Sequence, residues 1–209
     1  MQPDGPFTPD PSPPKRGPGE EDKLKGSGVA HLLIWLLMAA TLAAVLASLG
    51  RVWWCGCGSA VPWAWDVNSQ HNSQHLCDPY FFSHLQHGLL LFLLLLPVAS
   101  VAGPRWRWFA ALLIEAGWEV LENTPLVIER YRAGTISLDY YGDSIANSLS
   151  DLTACAAGYL LARCVGRRWV LVIFVAIELA MIVLIRDSLL LNILMLLYPL
   201  DAVRGWQAG

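Results

Sequence analysis

The sequence predicts an all-α fold, a polytopic transmembrane bundle of five to six helices. Three observations carry that expectation. Hydrophobic residues make up 55% of the 209-residue chain and charged residues only 15%. Mean hydropathy is +0.45, far above that of an ordinary soluble domain. Apolar runs of roughly 20 residues, the length that spans hydrocarbon as a helix, recur along the chain. Function classes can be excluded on the same ground: the fourteen Lys and Arg lie scattered between apolar segments and build no basic face, so no nucleic-acid partner is expected.

Residues 1 to 28 hold seven of the thirteen Pro, with mixed charges and no apolar periodicity, and read as a disordered, solvated tail. The first apolar run, Val29 to Leu49, is long enough to span and lacks a small-residue cleavage site before the next polar stretch, so it reads as a retained helix rather than a secretory signal. A Cys-, Trp- and His-rich loop over 50–80 follows. Further spans are expected at 81–102, 108–128, 143–162 and 169–185. A last run at 189–200 is about a dozen residues, below the roughly 20 needed to cross untilted, and is either a tilted span or re-entrant. Several Trp flank these runs (Trp53, Trp54, Trp106, Trp108, Trp169, Trp206), as interface anchors do.

Orientation follows from the basic residues. Lys15, Arg16, Lys23, Lys25, Arg105, Arg107, Arg163, Arg167 and Arg168 fall on one side of the spans, against Arg51, Arg130, Arg132 and Arg186 on the other, nine to four. The positive-inside rule then places the N-terminus in the cytoplasm and the loops at 50–80 and 129–142 outside.

Polar residues inside these spans mark the candidate site, because ionisable groups at membrane depth are costly without partners. In ISLDYYGDSIANSLSD, Asp139, Asp143, Asn147 and Asp151 recur every four residues, the spacing of one helical face. In LLIEAGWEVLENTP, Glu115, Glu119 and Glu122 stand at i, i+4 and i+7, and SHLQHG carries His84 and His87 at i, i+3. A rise of about 1.5 Å per residue puts nearly all of these groups in the outer half of the bilayer, Glu115 and Glu178 excepted. Imidazoles and carboxylates at matched depth are what a nitrogen- and oxygen-liganded divalent metal needs, zinc first. The expected ligands are His84, His87 and Asp143. Glu119, Glu122, Asp143 and Asp151 are the catalytic candidates, and Asn147, Arg186 and Asp187 the substrate-binding ones, with Arg186 receiving an anionic headgroup. The competing expectation is structural: buried Asp143 or Asp151 paired with Arg186 as contacts between helices.

Cys55, Cys57 and Cys77 face an oxidising compartment in this topology, which favours a disulfide of Cys77 with Cys55 or Cys57. A zinc site built from the three Cys with His71 and His75 is the alternative. There is no GxSxG elbow, P-loop, dinucleotide fingerprint, HExxH helix or haem-attachment CxxCH.

SHLQHGLLLF, EAGWEVLENTPLVIERYR, DYYGDSIANSLSD and IRDSLLLNILMLLYP together resemble a UPF-type, domain-of-unknown-function family of bacterial inner-membrane proteins. The resemblance implies a membrane class and no particular reaction. The Asp143-x3-Asn147 element, followed by small residues and Gly158, is also similar to a helix of VanZ-like proteins linked to glycopeptide tolerance. Together these readings predict an outward-facing pocket for a lipid or lipid-linked envelope substrate, enzymatic or binding, with a small transporter, ion path or assembly factor as the alternative.

Overall fold

The computed structural model describes residues 18–135, 137 and 139–209, with side chains placed from Gly28 onward. Most of the expected tail, residues 1–17, lies outside the described residues, and residues 18–28 open the first helix instead. The helices are α1 (Pro18–Ser48), α2 (Phe81–Leu94), α3 (Pro104–Glu122), α4 (Pro125–Gly134), α5 (Ile145–Val165), α6 (Arg167–Ile185), α7 (Leu189–Leu197) and α8 (Asp201–Ala208), with a 3-10 turn at Pro97–Ser100. Among the described residues there is no strand, only an isolated bridge between Trp63 and Cys77. The all-α expectation holds.

Two prolines divide what reads as continuous apolar sequence. Pro97 ends the expected 81–102 span, so that α2 stops at Leu94 after 14 residues. Pro125 cannot donate to a helical carbonyl and clashes with the turn before it, so the expected 108–128 span is cut after Glu122 and restarts as α4 with Pro125 at its first position. The Asp ladder is also cut. Ser144 caps α5, accepting from the Asn147 amide at 3.1 Å, which leaves Asp139 and Asp143 outside the helix and only Asn147 and Asp151 on it.

α2 and α5 form the centre. Gly88 and Gly158 let them meet backbone to backbone: a Cβ on Gly88 would lie 2.0 Å from the Cys155 carbonyl oxygen, and one on Gly158 would lie 2.0 Å from that of Leu85. Ala154, Cys155, Ala156 and Ala162 continue this small, buried face of α5, the composition that close helix crossings require. α1 and α3 close one side around Leu42, Leu46, Leu112, Leu152 and Tyr159, and α6 closes the other around Leu89, Val170 and Phe174. Trp108, expected as an interface anchor, is 2% exposed. Its indole N–H donates to the His31 carbonyl at 3.1 Å, tying α3 to α1, while Trp106 beside it is 69% exposed.

Over Gly28–Ser48, α1 is long and apolar enough to cross a bilayer by length and composition, as is α6. The outward faces of both are apolar, with Leu32, Leu33, Leu36 and Leu37 exposed on α1 and Leu171, Val172, Val175, Leu179 and Val183 on α6. Such faces suggest association with a membrane. The other expected spans do not reach this standard.

Candidate functional site

His84 and His87 project from α2 toward α3, where Glu115 and Glu119 stand one turn apart. His84 Nδ1 lies 2.7 Å from Glu115 Oε1 and 3.2 Å from Glu119 Oε1. His87 Nδ1 lies 3.0 Å from Glu115 Oε2. Two imidazoles thus converge through the same ring nitrogen on one carboxylate, which is 1% exposed. Glu119 is fully buried, yet neither of its oxygens accepts a well-aligned hydrogen bond, since the His84 N–H is aimed at Glu115. Asp151 Oδ1, from α5, is a second buried oxygen with no partner.

A cavity of about 150 Å³ adjoins this cluster and is lined by His84, His87, Trp118, Glu122 and Asp151, with Tyr80, Tyr131 and Leu189 opposite and Asn72 and Ser73 contributed by the 51–78 loop. Single donor atoms of His84, His87 and Glu115 lie within 4.8 Å of one another, as do those of His84, Glu119 and Glu122. Either triad can hold a divalent ion, and the mixed nitrogen and oxygen donors suit zinc.

The expected site residues separate into three groups. His84, His87, Glu119, Glu122 and Asp151 come together as the spacing predicts. Asp143 does not join them as a ligand. Its carboxylate accepts from Asn123 Nδ2 at 2.8 Å and from the Tyr140 hydroxyl at 3.0 Å, and its backbone N–H donates to Asn123 Oδ1 at 2.7 Å. The Asp143 carboxyl is held above the usual range by burial, opposed by the Asn123 and Tyr140 donors. Asn147 turns toward the 51–78 loop, its amide nitrogen 3.5 Å from the Leu76 carbonyl.

Arg186 meets neither pocket nor Asp. It is exposed, takes the left-handed conformation (φ 55°) that ends α6, and donates to the Trp206 carbonyl at 3.2 Å. Arg186 therefore does not pair with Asp143 or Asp151 and does not line the pocket; the guanidinium beside Asp143 is that of Arg51, whose Nε donates to the Asp143 carbonyl at 3.2 Å. Asp187 stands at the edge of the pocket, accepting from the Tyr80 hydroxyl at 2.9 Å and the Ser188 amide at 2.8 Å.

The expected disulfide is also absent. Cys55, Cys57 and Cys77 are free thiols. The Trp63–Cys77 bridge, with Cys77 N donating to Pro62 O at 2.8 Å and Ala64 N donating to Cys77 O at 3.0 Å, directs Cys77 Sγ to Ser150 Oγ on α5, 3.3 Å away. Cys55 and Cys57 face His71 and His75 instead.

Glu115 and Asn123 are the residues that sequence spacing undervalued. Position along the sequence puts Glu115 deeper than the cluster, but α2 and α3 meet so that both His84 and His87 reach it. Asn123 sits where Pro125 stops α3, in the NTP string that signals the break.

The chain has relatives in sequence. A family model described as "Protein of unknown function (DUF2585)" matches residues 46–209, most of the chain. The chain belongs to the DUF2585 family. Among its curated bacterial relatives, a UPF0314 protein of Sinorhizobium fredii is 46% identical over 180 residues, covering 84% of this chain and 91% of that protein. Another from Rhizobium meliloti is 45% identical over 193 residues, covering 91% and 97%, and one from Paracoccus denitrificans is 46% identical over 176 residues, covering 82% and 91%. The DUF2585 region thus takes in the 51–78 loop, the α2–α5 pair and both triads, and omits most of α1. No solved structure matches the chain.

Proposed function

We propose that this chain is a multi-pass protein of the bacterial inner membrane, N-terminus cytoplasmic, whose pocket holds a divalent metal, zinc by its donor set, and takes a lipid or lipid-linked envelope substrate from the outer leaflet. The observation that carries the reading is the convergence of His84 Nδ1 and His87 Nδ1 on Glu115, beside the unpartnered oxygens of Glu119 and below the cavity. A cation at that point satisfies both imidazoles and the orphaned carboxylate together, whereas apolar surroundings leave an unpartnered carboxylate strongly disfavoured.

The chemistry follows from the positions. His84, His87 and Glu115 hold the ion, and a bound divalent metal supplies Lewis acidity toward an ester or phosphoester oxygen. Glu122, which lines the cavity with Asp151 of α5, is placed to take a proton from an attacking water, and Glu119 lies buried beside it. Arg186 lies outside the pocket, and a metal held by His84, His87 and Glu115 would supply there the positive charge that an anionic headgroup needs. The apolar outer faces of α1 and α6 support burial in lipid, and Asn72 and Ser73 of the 51–78 loop border the pocket.

The direct test is photolabelling. The full chain, reconstituted in bilayers with a photoactivatable anionic phospholipid, should be labelled on pocket peptides carrying Trp118 and Tyr131, and Glu115→Gln should remove that label while sparing label on α6. Labelling confined to the outer faces of α1 and α6 in the wild type would mean that lipid surrounds the protein without entering the pocket.

A further inference from the structure

The 51–78 loop carries a second constellation that the pocket does not use. Cys55 Sγ lies 3.3 Å from His71 Nδ1, and Cys57 Sγ lies 3.6 Å from His75 Nε2. All four donor atoms fall within 4.8 Å of one another. In a tetrahedral zinc centre with bonds of about 2.0 to 2.3 Å, neighbouring donors stand roughly 3.3 to 3.8 Å apart, so both contacts already have the spacing of ligands on one ion.

The surroundings are those of ligands held in place. His75 Nδ1 faces the Val61 carbonyl oxygen, which only accepts, so the proton sits on Nδ1 and Nε2 is left bare toward Cys57. The Ser59 backbone N–H points at Cys57 Sγ at 3.4 Å, a contact that favours sulfur carrying negative charge. His75 is 5% exposed and Cys55 7% exposed. Two buried ligands from a stretch with no helix or strand of its own need something to order them, and hydrophobic burial in this segment is slight, with most of its Trp and Val exposed or half-buried.

We propose that Cys55, Cys57, His71 and His75 form a tetrahedral zinc site that fixes the 51–78 loop. With four protein ligands the site is closed, so its role is structural rather than hydrolytic. Its consequence for the rest of the molecule runs through Asn72 and Ser73, which lie between the two His in sequence and form part of the pocket wall. Metal binding at His71 and His75 therefore fixes the stretch of cavity wall that lies between them. The site stands apart from the pocket reading, because it shares no ligand with the His84, His87 and Glu115 cluster.

Cobalt(II) is the probe that tells the two apart, since only thiolate ligands give a sulfur-to-cobalt charge-transfer band. Full-length chain, purified in detergent under reductant and then stripped of metal, should develop that band together with tetrahedral visible absorption on addition of Co(II), and zinc should abolish both. The band should be lost in Cys55→Ser/Cys57→Ser and retained in Cys77→Ser and in His84→Ala/His87→Ala. In the unsubstituted chain, zinc should shield Cys55 and Cys57 from alkylation while the exposed Cys164 continues to react, which reads the site without altering the fold. A wild-type chain that gives no charge-transfer band, zinc that fails to shield Cys55 and Cys57, or a disulfide linking either of them to Cys77 would overturn the proposal.

Discussion

Gly158 on α5 lies directly against the backbone of Leu85 on α2: an added Cβ would stand 2.0 Å from the Leu85 carbonyl oxygen. Leu85 follows His84, so this contact fixes the height at which His84 meets Glu115 and faces Asp151. The site is therefore as rigid as the α2–α5 crossing.

Gly158→Ala should force α2 and α5 apart, because the obstruction is backbone and has no flexible end to move. A loss of about 2 kcal/mol or more in detergent unfolding is expected, together with loss of pocket labelling, as overpacking of a close interface typically costs 1–3 kcal/mol. Gly117→Ala, whose Cβ meets nothing within 4 Å, should leave stability within about 0.5 kcal/mol of wild type.

Asn123 joins the end of α3 to the segment before α5 through three bonds, two to the Asp143 carboxylate and amide and one from Asn123 Nδ2 to the Glu119 carbonyl at 2.9 Å. Asn123→Ala strands a buried acceptor and a buried donor and should cost about 2 to 3 kcal/mol. Chemical denaturation of the variant beside wild type checks this, and a loss below half a kcal/mol would mean the junction is held by other contacts.

Ser144 is the cap that starts α5. Ser144→Ala should cost about 1 kcal/mol, and Ser144→Asp should restore much of it by accepting from the same amide and complementing the helix N-terminus.

Asp78 carries a pH signature. Burial raises its carboxyl above the ordinary range, against donation from the Tyr80 amide at 2.7 Å and the Ser73 amide at 2.9 Å. A folded-state value above the unfolded one means that the folded protein binds the extra proton, so this group's contribution is fully present below about pH 4 and is lost as pH rises through the folded value. The wild-type advantage over Asp78→Asn in loop protection from proteolysis should therefore be larger at pH 4 than at pH 7. The opposite trend would show that the ionised carboxylate is the form the loop prefers.

Much of this architecture is legible in the residues. Runs such as Val29–Leu49 and Trp169–Ile185 are long, apolar and free of internal proline, and α1 and α6 match them closely. That His84 and His87 share one face of a helix, and the Glu residues one face of the next, follows from i, i+3 and i, i+4 spacing; that both His meet Glu115 does not. What the pattern hides is where helices stop. Asp143 has the right interval for a helical ladder, but Gly142 before it takes φ +89° and Ser144 after it is the better cap, so the helix begins two residues too late to include it. Sequence position alone puts Arg186 at the depth of the acidic cluster. The left-handed turn that ends α6 sends it to the α8 terminus, a direction that no periodicity encodes. Cys77, likewise, was separated from Cys55 and Cys57 by a two-residue bridge to Trp63 that leaves no signature in composition.

The reading of the pocket stands or falls on metal content. Chain carrying Cys55→Ser/Cys57→Ser, so that the loop site is removed, should be purified from detergent and analysed for bound elements beside the same chain with His84→Ala/His87→Ala added. About one zinc, manganese or iron per chain in the first and none in the second is the expected result. No metal in either, with both proteins folded, would contradict a metal-assisted pocket and leave the His84, His87 and Glu115 cluster as a proton-bridged contact between α2 and α3.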